Sequence, residues 1–262
     1  MKTAESRTFR SLARAISRWA ACAALLAPPC LPAVAAQGPP EGVQSSFPCP
    51  WVKPKRGQPE PKAVCWLPPQ CKYVRGVIVA GSFGAAPAVR HAATAEALGI
   101  MNGPIHAESG KETLEHIDAI LDQWAQASGH PEIRGAAILT ASISAGVIWA
   151  RNVAYAAPDR VIGVVHIAGG NMHQHMVDER KTLAGVPFMA VNGEYESCGP
   201  EGGIRPHLGF DTQWYLMGQS ILERRREDPN NQMSLVVIPC RGHTAWSHEL
   251  GALFVRKCAK YR

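Results

Sequence analysis

The sequence predicts an α/β protein built on a doubly wound, mostly parallel sheet flanked by helices. Three observations carry that expectation. Short runs of apolar, largely β-branched residues ("RGVIVAG", "GAAILTAS", "VIGVVHIAGG", "VPFMAVNG", "MSLVVIPC") recur along the chain, each of strand length. Segments with a helical period separate them, the mark of βαβ units. The runs are apolar at every position rather than at alternate ones, as expected of strands covered on both faces.

The first 36 residues stand apart from that pattern. Lys2, Arg7, Arg10, Arg14 and Arg18 face one acid, Glu5, and "WAACAALLAPPCLPAVAA" follows. A basic start, an apolar stretch and an Ala-x-Ala-like end read as a secretory signal peptide cut after Ala35 or Ala36. The apolar stretch is short and broken by Pro28, Pro29 and Pro32, so no integral membrane segment is expected after cleavage. The prolines before Cys30 disfavour a lipid anchor there. The expected location is therefore secreted or periplasmic. The leader also holds five of the 27 basic residues and one of the 21 acids, so the formal charge of +6 shrinks to +2 without it. No basic cluster with interleaved aromatics remains, and nucleic acid is not an expected partner.

Residues 37–74 are rich in Pro, Gly and Lys and should carry little regular structure beyond one or two short edge strands. They are expected to pack as an N-terminal segment on a domain spanning 75–262. That domain opens with the strand "RGVIVAG". "APAVRHAATAEALG" reads as a helix stopped by Gly99, and "IMNGPI" as a short strand. In "SGKETLEHIDAILDQWAQASG", Ser109 and Glu112 form a capping-box pair. Leu114, Ile117, Leu121 and Trp124 share one face of that helix. "AGVIWARNVAYAAPDR" is a buried helix ended by Pro158. "FDTQWYLMGQSILERRRED" places Phe210, Trp214, Met217 and Ile221 on one face, and "SHELGALFVRKCAK" forms the last helix. "NMHQHMVDERKTLAG" carries no clear signal.

In such sheets ligands bind beyond the carboxyl ends of the strands, so the polar residues there are the candidates. Gly81, Ser82, Phe83 and Gly84 follow the first strong strand. Ser142, Ser144 and Gly146 follow the central one. Glu194 and Glu196 follow "PFMAVNG", and His243 follows the last strand in "RGHTAW". A serine, a carboxylate and a histidine thus trail three different strands in that order. Each has a plainer reading. Ser142 and Ser144 are good helix N-caps, and a histidine in a turn is common. His166 lies inside a strand and reads as core. His173 and His175 with Asp178 and Glu179 are better explained by a solvated loop than by a metal site, and no Cys-x-x-Cys pair suggests zinc.

On these residues the chain resembles the α/β-hydrolase superfamily, over roughly residues 75 to 260. "SISAG" (142–146) is similar to its nucleophile elbow, with Ser142 in place of the usual first Gly. The resemblance implies Ser144 as nucleophile, His243 as base and Glu196 as acid, since in such relatives the acid commonly stands three positions after a Gly, here Gly193. Glu194 then serves the turn or solvent, and Asp211 favours a helix N-terminus. It further implies an oxyanion hole from the N–H of Ala145 and one from Ser82 or Phe83, and a pocket beside Trp246. The expected reaction is hydrolysis of a carboxylic ester through an acyl-enzyme, with no metal and no organic cofactor. The insertion between the strands at 161–168 and 187–192 is too short for a large lid. Peptide or polymeric ester substrates, and a catalytically inactive binding domain, are the alternatives. Outside the leader six cysteines remain, an even number that favours disulfides in an exported chain. Cys198 and Cys240 flank the proposed acid and base, which suggests a bridge between them.

Overall fold

A computed structural model describes residues 40–169, 183, 185–196, 213–243 and 246–261. Residues 1–36, "HQH" with Asp178 and Glu179, Cys198, Phe210 and Asp211 lie outside the described residues. All described residues belong to one unit, 38–262. Among them eight strands form one sheet: β1 Val43–Pro48, β2 Lys62–Leu67, β3 Gly76–Ala80, β4 Leu98–Asn102, β5 Ala137–Ile143, β6 Val161–Ile167, β7 Phe188–Gly193 and β8 Met233–Ile238. Their order is β1-β2-β4-β3-β5-β6-β7-β8. The six strands from β4 to β8 run parallel, and β1 and β2 join antiparallel at one edge. The chain therefore has the expected doubly wound, mostly parallel architecture.

The fully buried strands explain themselves. Every residue of β3, β6 and β7 is inaccessible, because helices cover both faces. Five helices do so among the described residues: α1 Pro87–Ala95, α2 Gly110–Ser128, α3 Val147–Ala156, α4 Gln213–Glu227 and α5 His248–Lys260. Ile117, Leu121 and Trp124 of α2, Val153 of α3 and Met217 of α4 fill the core on one face. Val89 and Ala92 of α1 and Val255 and Cys258 of α5 fill the other. The predicted N-cap at the start of α2 forms, with Ser109 Oγ accepting from the Glu112 N–H at 3.1 Å. Gly129 ends the helix at φ 73°, a left-handed cap that glycine adopts without strain.

One expectation needs correction. The helix expected to run to Gly99 ends at Ala95, and Gly99 lies inside β4. The Glu96 N–H closes the last turn on Ala92 O, and Ala97 at φ 53° reverses the chain into the strand. The N-terminal segment supplies two short strands at the sheet edge, in line with its reading. β1 pairs with β2 along six residues and β2 pairs with β4. Trp51 stacks on His116 at 4.2 Å, and its indole N–H donates to Pro104 O at 2.9 Å. Pro50, Lys53, Pro54, Lys55, Pro59 and Pro61 gather in the turn that links the two strands, and apolar Phe47, Ala63, Cys65 and Leu67 bury the hairpin.

The five described cysteines, Cys49, Cys65, Cys71, Cys240 and Cys258, carry free thiols. The Cys198–Cys240 bridge is thus not formed in this structure: Cys240 sits exposed at a turn with φ 55°, and Cys198 lies outside the described residues. Burial pushes the Cys258 thiol up to about 12, where it stays protonated. No helix among the described residues is long and apolar enough to cross a membrane.

Candidate active site

The site is assembled at the carboxyl ends of neighbouring parallel strands. β5 leaves its extended course at Ser144, whose φ is 57°. That is left-handed backbone, costly for a residue with a Cβ and held only where the surroundings impose it. A 3-10 turn, Ser144–Gly146, leads at once into α3. No side-chain cap bond forms at either helix start, so neither Ser142 nor Ser144 is spent as an N-cap. Ser142 instead packs on the turn: a Cβ on Gly146 would collide with the Ser142 Oγ. The close approach favours a small residue at 142 and no side chain at 146.

The loops after β7 and β8 are tied to each other. The Glu194 N–H donates to Ile238 O at 3.0 Å, and the Tyr195 N–H donates to Arg241 O at 2.9 Å. The Glu194 carboxylate accepts from the Cys240 N–H at 2.8 Å. That bond holds the left-handed turn that swings the chain round to His243. Glu194 accordingly serves the turn. Its backbone oxygen also accepts from the Trp214 indole at 3.1 Å.

These turns bring Ser144, Glu196 and His243 into one line. His243 Nδ1–H donates to Glu196 Oε1 at 2.8 Å. The Ser144 hydroxyl donates to His243 Nε2 at 2.9 Å. Glu196 is 2% exposed, whereas the His243 side chain is 49% exposed. The other carboxylate oxygen of Glu196 accepts from Asn192 Nδ2 at 3.0 Å and from the Gly193 N–H at 3.4 Å. Burial raises the Glu196 carboxyl above its ordinary value, and its hydrogen bonds to Asn192, His243 and Gly193 oppose the rise. Asn192 was not singled out from the sequence. Its signal was present, an amide inside the apolar run "FMAVNG", where a buried polar side chain needs a partner.

The backbone donors lie close by. Ala145 occupies the first turn after β5, and Ser82 and Phe83 occupy the 3-10 turn Ser82–Ala85 after β3. The first N–H groups of a helical turn have no acceptor within it. β3 and β5 are paired, with Ala80 opposite Ala141, so both turns emerge side by side. Next to them opens a cavity of about 360 Å³ lined by Gly81, Phe83, Ser142, Ile143, Ile167 and Trp246, among others. Phe83 and Trp246 meet edge to face with centroids 4.8 Å apart. A second cavity, about 260 Å³ between β7, β8 and α5, is lined by Met189, Ser234, Leu253 and Phe254. Neither cavity is lined by the three aligned residues themselves, but the first is lined by Ser142 and Ile143, which lead into Ser144.

His166 is fully buried. Burial, with a smaller effect from Arg151, depresses its pKa to about 3, so it stays a neutral core residue. Among the described residues no group of His, Cys, Asp or Glu is arranged to hold a metal.

No protein-family model and no curated protein matches this sequence. Solved structures do match the fold. An esterase from the fungus Rhizomucor miehei overlays with a TM-score of 0.50 at 12% identity, over 86% of this chain and 87% of that one. An arylesterase does so with a TM-score of 0.50 at 11% identity, over 87% and 88%. A bacterial heroin esterase gives 0.50 at 13% identity, over 97% and 92%. Sequence identity this low carries the architecture across and nothing finer.

Proposed function

Taking the α/β-hydrolase fold as premise, we propose that this chain is a secreted serine hydrolase that cleaves carboxylic esters through a Ser144–His243–Glu196 triad. The observation that carries the reading is the aligned pair of hydrogen bonds, Ser144 to His243 and His243 to Glu196, at 2.9 and 2.8 Å. A serine held at φ 57° supports it further, because that bend lifts a nucleophile clear of the sheet.

The chemistry follows from the groups. Ser144 Oγ adds to the ester carbonyl carbon while its proton passes to His243 Nε2. An ionised carboxylate only accepts hydrogen bonds, so Glu196 keeps the proton on Nδ1 and leaves Nε2 free to act as base. It then stabilises the imidazolium. The carbonyl oxygen becomes an oxyanion facing the N–H of Ala145 and that of Ser82 or Phe83. Each such donor contributes about 3 kcal/mol to transition-state stabilisation. The tetrahedral intermediate collapses as the C–O bond to the alcohol breaks and His243 protonates the leaving oxygen. Water, deprotonated by the same imidazole, releases the acid and restores Ser144. The route requires no metal or organic cofactor. Export is part of the proposal and rests on the leader of residues 1–36.

A fluorophosphonate probe tests the nucleophile, since it labels only an activated serine. The parent protein and Ser142→Ala are expected to label, and Ser144→Ala is not. Ser144→Ala should lose on the order of 10⁴- to 10⁶-fold in ester turnover with its melting temperature nearly unchanged. Labelling that survives in Ser144→Ala and vanishes in Ser142→Ala would remove the assignment.

A further inference from the structure

We infer that the cavity beside Ser144 is the acyl pocket of the proposed esterase, and that it takes an uncharged acyl group made of one aromatic ring on a short aliphatic arm. The inference rests on the serine-hydrolase reading and adds to it the side of the ester that is recognised and the chemistry that fits.

The side follows from the proton. The leaving oxygen must lie against His243 Nε2, which returns a proton to it. His243 is half exposed and does not line the cavity. The alcohol therefore departs toward solvent. The cavity instead opens at the oxyanion turn and at the strand end that leads into the nucleophile: Phe83 belongs to the 3-10 turn after β3, and Ser142 and Ile143 directly precede Ser144. A carbonyl held between those turns presents its carbon substituent to the cavity.

The chemistry follows from the walls. Ala141 and Ile167 supply aliphatic surface from β5 and the end of β6, and Phe83 and Trp246 supply two ring surfaces inclined at 74° to each other. Aromatic pairs favour edge-to-face contact, and a substrate ring entering this corner can offer each wall an edge or a face. None of the described lining residues is Asp, Glu, Lys or Arg, so a carboxylate on the acyl group would be desolvated without a counter-ion. His248 is the sole titratable group among them and stands against the Trp246 ring. The size agrees. An apolar cavity of about 150 Å³ suffices for benzene, and this one is about 360 Å³, room for a ring and its linker.

The walls are also fixed in place. Gly251 of α5 lies directly beneath both rings: a Cβ there would stand 2.5 Å from Trp246 Cζ2 and 2.7 Å from Phe83 Cε2. The helix backbone thus backs the aromatic corner. A side chain at 251 would displace one or both rings.

The test is a series of plain esters followed by acid release, so that no chromophore adds a ring of its own. Methyl 3-phenylpropanoate is expected to exceed methyl acetate in kcat/KM by about tenfold or more. It should also exceed 2-phenylethyl acetate, which carries the ring on the alcohol, and monomethyl succinate, which carries a charge on the acyl arm. The ratio of phenylpropanoate to acetate should fall about tenfold in Trp246→Ala and in Ile167→Phe, which fills the cavity. Two variants at separate walls keep the ratio readable if one of them fails to fold. A flat series, a preference for the alcohol-side ring or for succinate, or variants that lose both esters in proportion, overturns the pocket and leaves the hydrolase reading standing. Absence of turnover on every ester, together with absence of fluorophosphonate labelling at Ser144, overturns the hydrolase reading and the pocket with it.

Discussion

A buried carboxylate survives only where partners replace its water, and Glu196 has three: His243, Asn192 and the Gly193 N–H. Their pull does not cancel the burial, and the carboxyl stays above its ordinary value of about 4.5. A raised carboxyl binds its proton more readily in the folded chain than in the unfolded one. Its contribution therefore favours the fold at low pH and declines as pH rises from the ordinary value through the folded one. Glu196→Gln removes that slope. The melting temperature of the parent minus that of the variant is expected to drop across this window, and a difference that stays level would show that the carboxyl is not raised. In turnover, Glu196→Gln is expected to lose about 10³- to 10⁴-fold, because the imidazole loses its tautomer and countercharge. Glu194→Gln keeps an acceptor oxygen for the Cys240 N–H and should stay within about tenfold of the parent. Assays of both variants on one ester decide between the two carboxylates.

At the scale of the element, the bend from β5 to α3 depends on two side chains that share one space. Gly146→Ala is expected to press on the Ser142 Oγ and shift the Ser144 hydroxyl, at a cost of about 10² in turnover. Ser142→Gly in the same chain vacates that space and should restore about tenfold of it, a non-additive pair. Additive losses would mean the two residues do not meet. Much of this level was legible in the sequence. β3 and β5 to β8 announce themselves as apolar β-branched runs, and Ser109 with Glu112 marks the start of α2. The elements that escaped did so for physical reasons. Ala97 reverses the chain in a left-handed turn, and alanine carries no turn signal. Cys240 does the same only because Glu194, distant in sequence, holds its N–H. Ser144, Glu196 and His243 were legible as candidates from their places after three strands. The dependence of Glu196 on Asn192 emerged only when both were seen buried together.

On the scale of the whole molecule, residues before 75 complete the sheet. β2 covers the outer edge of β4, β1 covers β2, and the Val74 N–H donates to Glu132 Oε1 at 2.9 Å. A chain beginning at residue 75 would leave β4 as a bare, apolar edge, a template for pairing with other chains. It is expected to elute as aggregates in size-exclusion chromatography and to unfold at a lower temperature than the parent. A monomer with the parental melting temperature would show that the hairpin is dispensable. The sheet order has one more consequence, in the time domain. From β5 outward the strands lie in the order in which they are synthesised, so this half of the sheet can grow one strand at a time. Ser144 arrives with β5, Glu196 with β7 and His243 after β8, 99 residues behind the serine. On the proposed triad, a nascent or half-assembled chain holds its hydroxyl without a base and stays chemically silent. The proposed reactivity would then be acquired last, its onset marking the closure of the final strand.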